Sequence, residues 1–216
     1  NPADFFYDLH NLGVHEDGPS LKPVISDSAE IAETAVIENN VIIGDNAIVQ
    51  HGCIVHSNTV IGADSIIHEN SIIGAAGFFS KTIFGKKCHL EHYGGVKIGK
   101  NNIIHCATII GRSVNHGEFT ELADDVHVGI SVNIGHDCKI GESVDISGRA
   151  MLAGRVTIGE NCWIGAASVI SNAITVGRNS KVNIGSVVIS EVPEGAEVSG
   201  NFAIPHHKNI KRMLKV

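Results

Sequence analysis

The segments Ile43-Gly-Asp-Asn-Ala-Ile48 and Ile158-Gly-Glu-Asn-Cys-Trp163 follow one plan: an aliphatic residue, glycine, a charged residue, asparagine, a small residue and a variable residue. An aliphatic residue therefore returns every sixth position. This period holds without failure through three runs of the chain, which are Ile25, Ile31, Ile37, Ile43, Val49, Val55, Ile61, Ile67 and Ile73; Ile98, Ile104 and Ile110; and Leu122, Val128, Ile134, Ile140, Ile146, Leu152, Ile158, Ile164, Ile170, Val176, Val182 and Val188.

A six-residue period of this kind predicts an all-β fold, a parallel β-helix with three short strands and about 18 residues in each coil. The in-phase aliphatic residues point inward, β-branched residues suit the strands, and Gly and Asn suit the tight corners. Each coil pairs only with its neighbours, so both ends of the prism need caps. The period itself does not determine the handedness of the winding.

Two segments, 80–95 and 111–121, interrupt the period and are predicted to leave the prism as loops. Loops that project from a rigid scaffold are where functional sites usually lie. The extent of the repeat divides the sequence into an N-terminal segment 1–24, which is a helical cap or the remnant of a lost domain, a β-helix domain 25–200 and a basic C-terminal helix at 201–216. The two loops are therefore the first places to look for a site.

The N-terminal segment begins with Asn1-Pro2-Ala3-Asp4, a sequence typical of a helix start, and Gly13 is a natural stop. The apolar residues of this short helix fall on one face: Phe5, Phe6, Leu9 and Leu12. We expect the helix either to cap the first coil or to be the remnant of a lost domain.

The composition excludes several classes of function. The net charge of −7 argues against a nucleic-acid surface, which needs clustered Lys and Arg. No apolar run approaches the length of a membrane span, so none is predicted. Cys53, Cys138 and Cys162 share one small-residue position of the hexad, which favours packing over a disulfide framework. These features predict a reduced, cytoplasmic protein.

Four segments carry a more specific resemblance: Gly74-Ala-Ala-Gly-Phe-Phe79, Gly94-Gly-Val-Lys-Ile-Gly99, Val132-Asn-Ile-Gly-His-Asp-Cys-Lys-Ile-Gly141 and Ser147-Gly-Arg-Ala-Met-Leu-Ala-Gly154. They resemble the hexapeptide-repeat acyltransferases, above all the UDP-3-O-acylglucosamine N-acyltransferases of lipid A biosynthesis and related nucleotide-sugar N-acyltransferases. The resemblance spans roughly residues 25–203. It implies a left-handed β-helix, a homotrimer with sites between the prisms, and direct acyl transfer from a coenzyme A or acyl-carrier-protein thioester to the amino group of a nucleotide-linked sugar, without a metal.

The resemblance points to His136 as the general base. This residue lies two positions after the inward Ile134, so we expect its side chain on the outside of the prism, beside a groove left by the small residues of its column. An imidazole, with an ordinary pKa near 6.5, can take a proton from an attacking amine at neutral pH. Asp137 is expected to orient the ring, with a solvated corner carboxylate as the alternative. A backbone N–H such as that of Gly154 is the expected oxyanion donor.

Other residues are candidates for binding the substrates. Those proposed for the sugar lie on the two loops: Asn115, His116, Glu118, His89 and Tyr93. Those proposed for the thioester cofactor lie on the later coils: Gly148, Arg149, Arg155 and Asn172. For the loop residues a plain solvated loop is the alternative, and for the arginines it is surface charge. The basic stretch after residue 205 is a candidate for attracting an acidic carrier protein or the phosphates of coenzyme A.

The sequence also departs from the families that it resembles. Only residues 1–24 precede the hexads, so the N-terminal substrate domain has no counterpart, and a second functional histidine of the lipid A enzymes is matched by Ala173. A rival interpretation is a β-helical carbonic anhydrase, since His51 and His56, with His15, resemble its zinc ligands. The O- or N-acetylation of another small metabolite and a non-catalytic scaffold are further alternatives.

Overall fold

The structure is a computed structural model that describes residues 1–13 and 20–200. The predicted C-terminal helix at 201–216 and His15 of the zinc hypothesis lie outside the described residues. One helix, α1 (Pro2–Asn11), precedes the strands. The strands of the described part are β1 (Val24–Ile25), β2 (Glu30–Ile31), β3 (Val36–Ile37), β4 (Ile42–Ile43), β5 (Ile48–Val49), β6 (Ile54–Val55), β7 (Thr59–Ile61), β8 (Ile66–Ile67), β9 (Ile72–Ala75), β10 (Ser80–Ile83), β11 (Lys86–His89), β12 (Gly95–Ile98), β13 (Ile103–Ile104), β14 (Ile109–Gly111), β15 (Phe119–Leu122), β16 (His127–Val128), β17 (Asn133–Ile134), β18 (Lys139–Ile140), β19 (Asp145–Ile146), β20 (Met151–Leu152), β21 (Thr157–Ile158), β22 (Trp163–Ile164), β23 (Val169–Ile170), β24 (Thr175–Val176), β25 (Lys181–Val182), β26 (Val187–Val188) and β27 (Glu197–Val198).

These strands form the three faces of a prism. Sheet A has the order β1-β4-β7-β12-β15-β18-β21-β24, sheet B has β2-β5-β8-β13-β16-β19-β22-β25-β27, and sheet C has β3-β6-β9-β14-β17-β20-β23-β26. Neighbouring strands within each sheet are parallel and in register, as in the pairing of Ile134 with Leu152 one coil later. The fold class predicted from the sequence, a left-handed parallel β-helix, is confirmed.

The in-phase aliphatic residues form the core, as the six-residue period predicts. All of them from Ile43 to Val188 are buried, and removing their apolar surface from water is the main stabilising contribution to such a fold. The burial weakens at the N-terminal end, where Ile31 and Ile37 are only partly buried and Ile25 is 38% exposed. The first coil therefore has no apolar cover within the described residues.

The tight corners follow the repeat, but glycine has a different role from the one expected. The third residue after an inward aliphatic adopts a positive φ, as in Asn46 (φ 55°) and Asp137 (φ 59°). Asn and Asp tolerate this left-handed conformation better than most residues. The glycine that directly follows the aliphatic residue serves close packing between coils instead. A Cβ on Gly44 would lie 2.7 Å from the backbone nitrogen of Ala63.

Both interruptions of the repeat leave the prism between sheet C and sheet A. The first contains an antiparallel hairpin, β10–β11, in which Ser80 pairs with His89. The second is the short loop between β14 and β15. Both loops were predicted, although the hairpin within the first was not. No helix in the described residues has the length and apolar character needed to cross a membrane.

Helix α1 forms where the sequence predicts it, with the Asn1 side chain accepting a hydrogen bond from the N–H of Ala3 (3.2 Å). It packs against strand β10 of the hairpin, and its role as a cap of the first coil or as the remnant of a lost domain stays a prediction. The side chain of Asn11 donates to the carbonyl of His89 (2.8 Å) and accepts from the N–H of Glu91 (3.2 Å). The predicted apolar face of α1 stays largely exposed.

Candidate active site

The candidate site lies at the corner between sheet C and sheet A. Strand β17 ends at the fully buried Ile134, and the chain turns through Gly135, His136 and Asp137 before the next strand. Gly135 is required here, because a Cβ would lie 2.7 Å from the carbonyl carbon of Ala153 in the next coil. The rigid stacking of coils therefore fixes the backbone that carries His136 and Asp137.

His136 and Asp137 form a hydrogen-bonded pair. Nδ1 of His136 lies 2.7 Å from Oδ2 of Asp137, and Asp137 Oδ1 accepts from the hydroxyl of Ser113 and from the N–H of Val114 (3.1 Å). Burial of Asp137 raises its pKa, but the hydrogen bonds from His136, Ser113 and Val114 outweigh that effect and lower the pKa to about 2. The carboxylate is therefore ionised, so Nδ1–H of His136 donates to it and Nε2 carries the lone pair of the neutral ring.

Gly154 lies directly beneath the imidazole of His136. A Cβ at Gly154 would be 2.4 Å from Nε2 of His136, so only glycine leaves room for the ring. The backbone N–H of Gly154 has no backbone acceptor among the described residues. His136, Asp137 and Gly154, the three residues predicted to be catalytic, are thus brought together in one place.

The first loop covers His136, which sequence reasoning had placed on an open face. The ring of Phe79 stacks on the imidazole at a centroid distance of 5.3 Å, and His92 contacts it edge-on at 5.4 Å. The guanidinium of Arg155 lies over Phe79 (5.7 Å) and 3.8 Å from Asp137. Consequently the side chain of His136 is only 11% exposed. The small residue beneath it holds the ring and does not leave the open groove that we expected.

Three residues proposed for sugar binding line a separate cavity of about 310 Å³ on sheet A. Tyr93, His116 and Glu118 contribute to its wall, together with Asn40 and Asn58 from earlier corners. Asn115 does not line the cavity, but its side-chain amide donates to Glu118 (3.1 Å). The remaining candidate, His89, is exposed on β11 with its ring 6.1 Å from that of His92.

The residues proposed for the thioester fall into two groups. Arg155 and Asn172 lie at the same corner as His136, since the N–H of Arg155 donates to the carbonyl of His136 (2.8 Å) and Asn172 follows one coil after Gly154. Gly148 and Arg149 lie at the corner between sheets B and C, where the N–H of Arg149 donates to Ile130 (2.8 Å). Within one chain, that second pair is not brought to His136.

The zinc hypothesis finds no ligand cluster in the described part of the chain. Nδ1 of His51 lies 2.9 Å from the hydroxyl of Thr34, and Nδ1 of His56 lies 2.9 Å from a carboxylate oxygen of Glu38. Among residues 1–13 and 20–200 no group of three His, Cys, Asp or Glu side chains is placed to hold a metal ion. His51 and His56 therefore have separate partners.

The acid stability of the protein should depend on Asp137. A carboxyl group whose pKa falls from 3.8 to about 2 on folding stabilises the native state above pH 3.8, and this contribution is lost as the pH drops through about 2. Its size is about 2 kcal/mol. We expect Asp137→Asn to be less stable than the wild type at about pH 6, with the difference shrinking towards pH 2. Urea unfolding across this range measures it, and a constant difference would contradict the assignment.

Comparisons with known proteins agree with this architecture. A sequence-family model described as the hexapeptide repeat of succinyl-transferase matches residues 155–190. No curated protein matches the chain at a significant level. Among solved structures, the UDP-N-acetylglucosamine acyltransferase of Francisella novicida has 26% identity and a TM-score of 0.70, with 88% of this chain and 71% of that chain covered.

Two further enzymes described as UDP-N-acetylglucosamine acyltransferases share the fold. The Campylobacter jejuni protein has 23% identity and a TM-score of 0.70, with 92% of this chain and 82% of that chain covered. The Arabidopsis protein has 24% identity and a TM-score of 0.64, with coverage of 90% and 76%. The resemblance to hexapeptide-repeat acyltransferases of nucleotide sugars, predicted from the sequence, is confirmed.

Proposed function

We propose that the protein transfers an acyl group from a thioester to a nucleotide-linked sugar, with His136 as the general base. The observation that carries this proposal is the His136–Asp137 pair, held at 2.7 Å above Gly154. In the neutral ring, the bond to Asp137 leaves the Nε2 lone pair of His136 available to take a proton, and Gly154 packs against that ring. A base and an oxyanion donor are the two groups that acyl transfer needs.

The reaction requires no covalent enzyme intermediate. The nucleophile on the sugar attacks the thioester carbonyl while Nε2 of His136 takes its proton, and Asp137 stabilises the resulting imidazolium. The N–H of Gly154 donates to the oxyanion of the tetrahedral intermediate. Collapse of the intermediate breaks the C–S bond, and His136 returns the proton to the thiolate that leaves.

The acyl acceptor is proposed to be an amino group of the sugar, as the sequence resemblance implied. An alternative comes from the name of the Francisella novicida enzyme, whose substrate UDP-N-acetylglucosamine already carries its nitrogen as an amide. An amide nitrogen is a poor nucleophile, so a sugar of that type offers hydroxyl groups instead. The two outcomes differ chemically, because one product is an amide and the other is an ester.

The acyl donor is proposed to be a thioester of coenzyme A or of acyl carrier protein. Arg155 and Asn172, at the same corner as His136, remain the nearest candidates for contacting its polar parts, and Arg149 is a candidate only from a neighbouring subunit. The described cysteines are all free thiols, which fits the reducing cytoplasm where such thioesters are made.

A homotrimer is proposed because one face of the prism is unusually apolar. The outward residues of sheet C are aliphatic or Met in every described coil except that of Asn133, whereas several outward positions of sheet A hold charged residues such as Lys97, Glu121 and Lys139. A largely apolar face of this extent on a prism marks an interaction surface. Sedimentation of the purified chain tests this, and a monomer at micromolar concentration would contradict it.

The function is tested by incubating the protein with thioester donors and a panel of nucleotide sugars, and by following the release of free thiol. We expect thiol release with at least one sugar that depends on both substrates. Treating the product with hydroxylamine then separates an ester, which is cleaved, from an amide, which is not. Failure of every donor and sugar pair to release thiol would reject the proposed function.

A further inference from the structure

His92 is a second buried imidazole at the site, and neither the repeat nor the proposed reaction explains it. It lies at the end of the first loop, is only 6% exposed, and contacts the ring of His136 edge-on, with an interplanar angle of 79°. Its Nδ1 lies 3.1 Å from the carbonyl of Leu90. A carbonyl can only accept, so Nδ1 carries the proton and Nε2 carries the lone pair.

The Nε2 atom of His92 is buried and has no hydrogen-bond partner within residues 1–13 and 20–200. Buried polar atoms in native proteins are nearly always paired, and an unpaired one calls for an explanation such as a ligand. Burial lowers the pKa of His92, and the nearby His136 lowers it further. The ring is therefore neutral at physiological pH, and Nε2 acts only as an acceptor.

Two imidazoles with acceptor nitrogens thus lie in contact at the site, with ring centroids 5.4 Å apart. His136 directs its Nδ1–H to Asp137, which leaves the lone pair on its Nε2, and His92 has the same protonation pattern through Leu90. Gly77 lies against both rings, since a Cβ there would be 3.0 Å from Nε2 of His92 and 3.5 Å from Cδ2 of His136. A ligand that satisfies both imidazoles must supply two hydrogen-bond donors within a small volume.

We propose that His92 is a substrate-contacting residue that selects a primary amine as the acyl acceptor. The inference rests on the proposed function and names the nucleophile of that same site. One N–H of the amine transfers its proton to His136, and the other N–H donates to Nε2 of His92. The nitrogen lone pair then points at the thioester carbonyl.

The bond to His92 can persist through the whole reaction only with an amine. When the C–N bond forms and the C–S bond breaks, the nitrogen gives one proton to His136 and, through it, to the leaving thiolate. The amide product keeps its remaining N–H, which stays available to His92. A hydroxyl group has one proton, and after transfer the ester oxygen has none to donate, so Nε2 of His92 would again be unpaired.

Access to Nε2 requires a small movement of Gly77. In the described structure the backbone of Gly77 makes no hydrogen bond to another described residue, and it lies between β9 and β10, outside the sheets. Displacing such a segment breaks no strand pairing. The amine therefore replaces the contact between Gly77 and His92 and does not open the prism.

The test compares nucleotide sugars in matched pairs that differ only by an amino or a hydroxyl group at one ring carbon, such as UDP-glucosamine and UDP-glucose. We expect the wild type to acylate the amine member faster. His92→Phe fills similar space without an acceptor and should lower kcat/KM for the amine about tenfold more than kcat/KM for the hydroxyl member. His92→Gln, whose amide oxygen accepts an N–H, should recover part of the loss.

The outcomes of this comparison separate a role of His92 in selecting the acceptor from a purely structural role. A wild-type preference for the hydroxyl member, or an equal loss on both members in His92→Phe, would overturn the assignment and leave the acyltransferase function standing. An unfolding temperature of His92→Phe within a few degrees of the wild type is expected, and a large drop accompanied by equal losses would indicate a structural role. No thiol release by the wild type with any pair would remove the proposed function and this inference together.

Discussion

Replacing His136 with alanine is expected to lower the rate of acyl transfer by about 100-fold or more, the scale of losing a general base. Without the imidazole, the attacking group must lose its proton to water. The leaving thiolate also has no general acid to protonate it. The loss should appear in kcat, because the side chain acts on the proton in the transition state and contributes little to holding the sugar. Steady-state kinetics with the accepted donor and sugar measure it.

The chain offers a matched control in a second histidine and aspartate pair. Nδ1 of His127 lies 3.4 Å from Asp145, but these side chains are 55% and 61% exposed on the outer face of sheet B. His127→Ala removes an imidazole with a carboxylate neighbour from a solvated strand, so it should leave the rate within about twofold. Near-normal turnover in His136→Ala, or an equal loss in His127→Ala, would contradict the role of His136.

The β-helix could be predicted from the sequence because its determinants are local. An inward residue such as Ile134 needs only its own position in the hexad to be placed in the core, and the third residue after it, Asp137, is placed at a corner by the same count. The placement of the three residues proposed to be catalytic follows from that regularity. His136 and Gly154 are 18 residues apart, one coil, so the sequence spacing already stacks them.

The cover of the site could not be predicted, because it depends on contacts that carry no period. Phe79 and His92 reach His136 from an insertion whose path is set by the hairpin β10–β11 and by helix α1 against it. Ser113, which helps to bury the carboxylate of Asp137, comes from the other insertion. The aromatic pair in Gly74-Ala-Ala-Gly-Phe-Phe79 was the available signal, since an exposed loop has little other reason to carry two phenylalanines.

Burial also changes what the site can do. On an open face, water would compete for the hydrogen bonds that orient the imidazole, whereas His136 beneath Phe79 is bonded to Asp137 and is only 11% exposed. Interactions with developing charge are stronger where water is excluded. The loop therefore contributes to the chemistry of the site as well as to its shape.

Replacing Gly154 with alanine is expected to lower acyl transfer by about 100-fold while leaving the fold intact, because the added Cβ would lie 2.4 Å from Nε2 of His136. That contact is too short, so the imidazole must tilt away from the position in which it meets the nucleophile. A displacement of about 1 Å at a reacting group is enough for a loss of this size.

Gly200→Ala is the control for a glycine substitution as such, since no atom of residues 1–13 and 20–200 lies within 4 Å of a Cβ built there and its φ lies outside the left-handed region. It should leave both rate and unfolding temperature unchanged. The structural readout is the position of the His136 ring. It is monitored through the NMR signals of the imidazole in both variants. If Gly154→Ala keeps full activity with an unmoved His136 ring, the packing of glycine under the imidazole is not what places the base, and the oxyanion role of the Gly154 N–H must be tested separately.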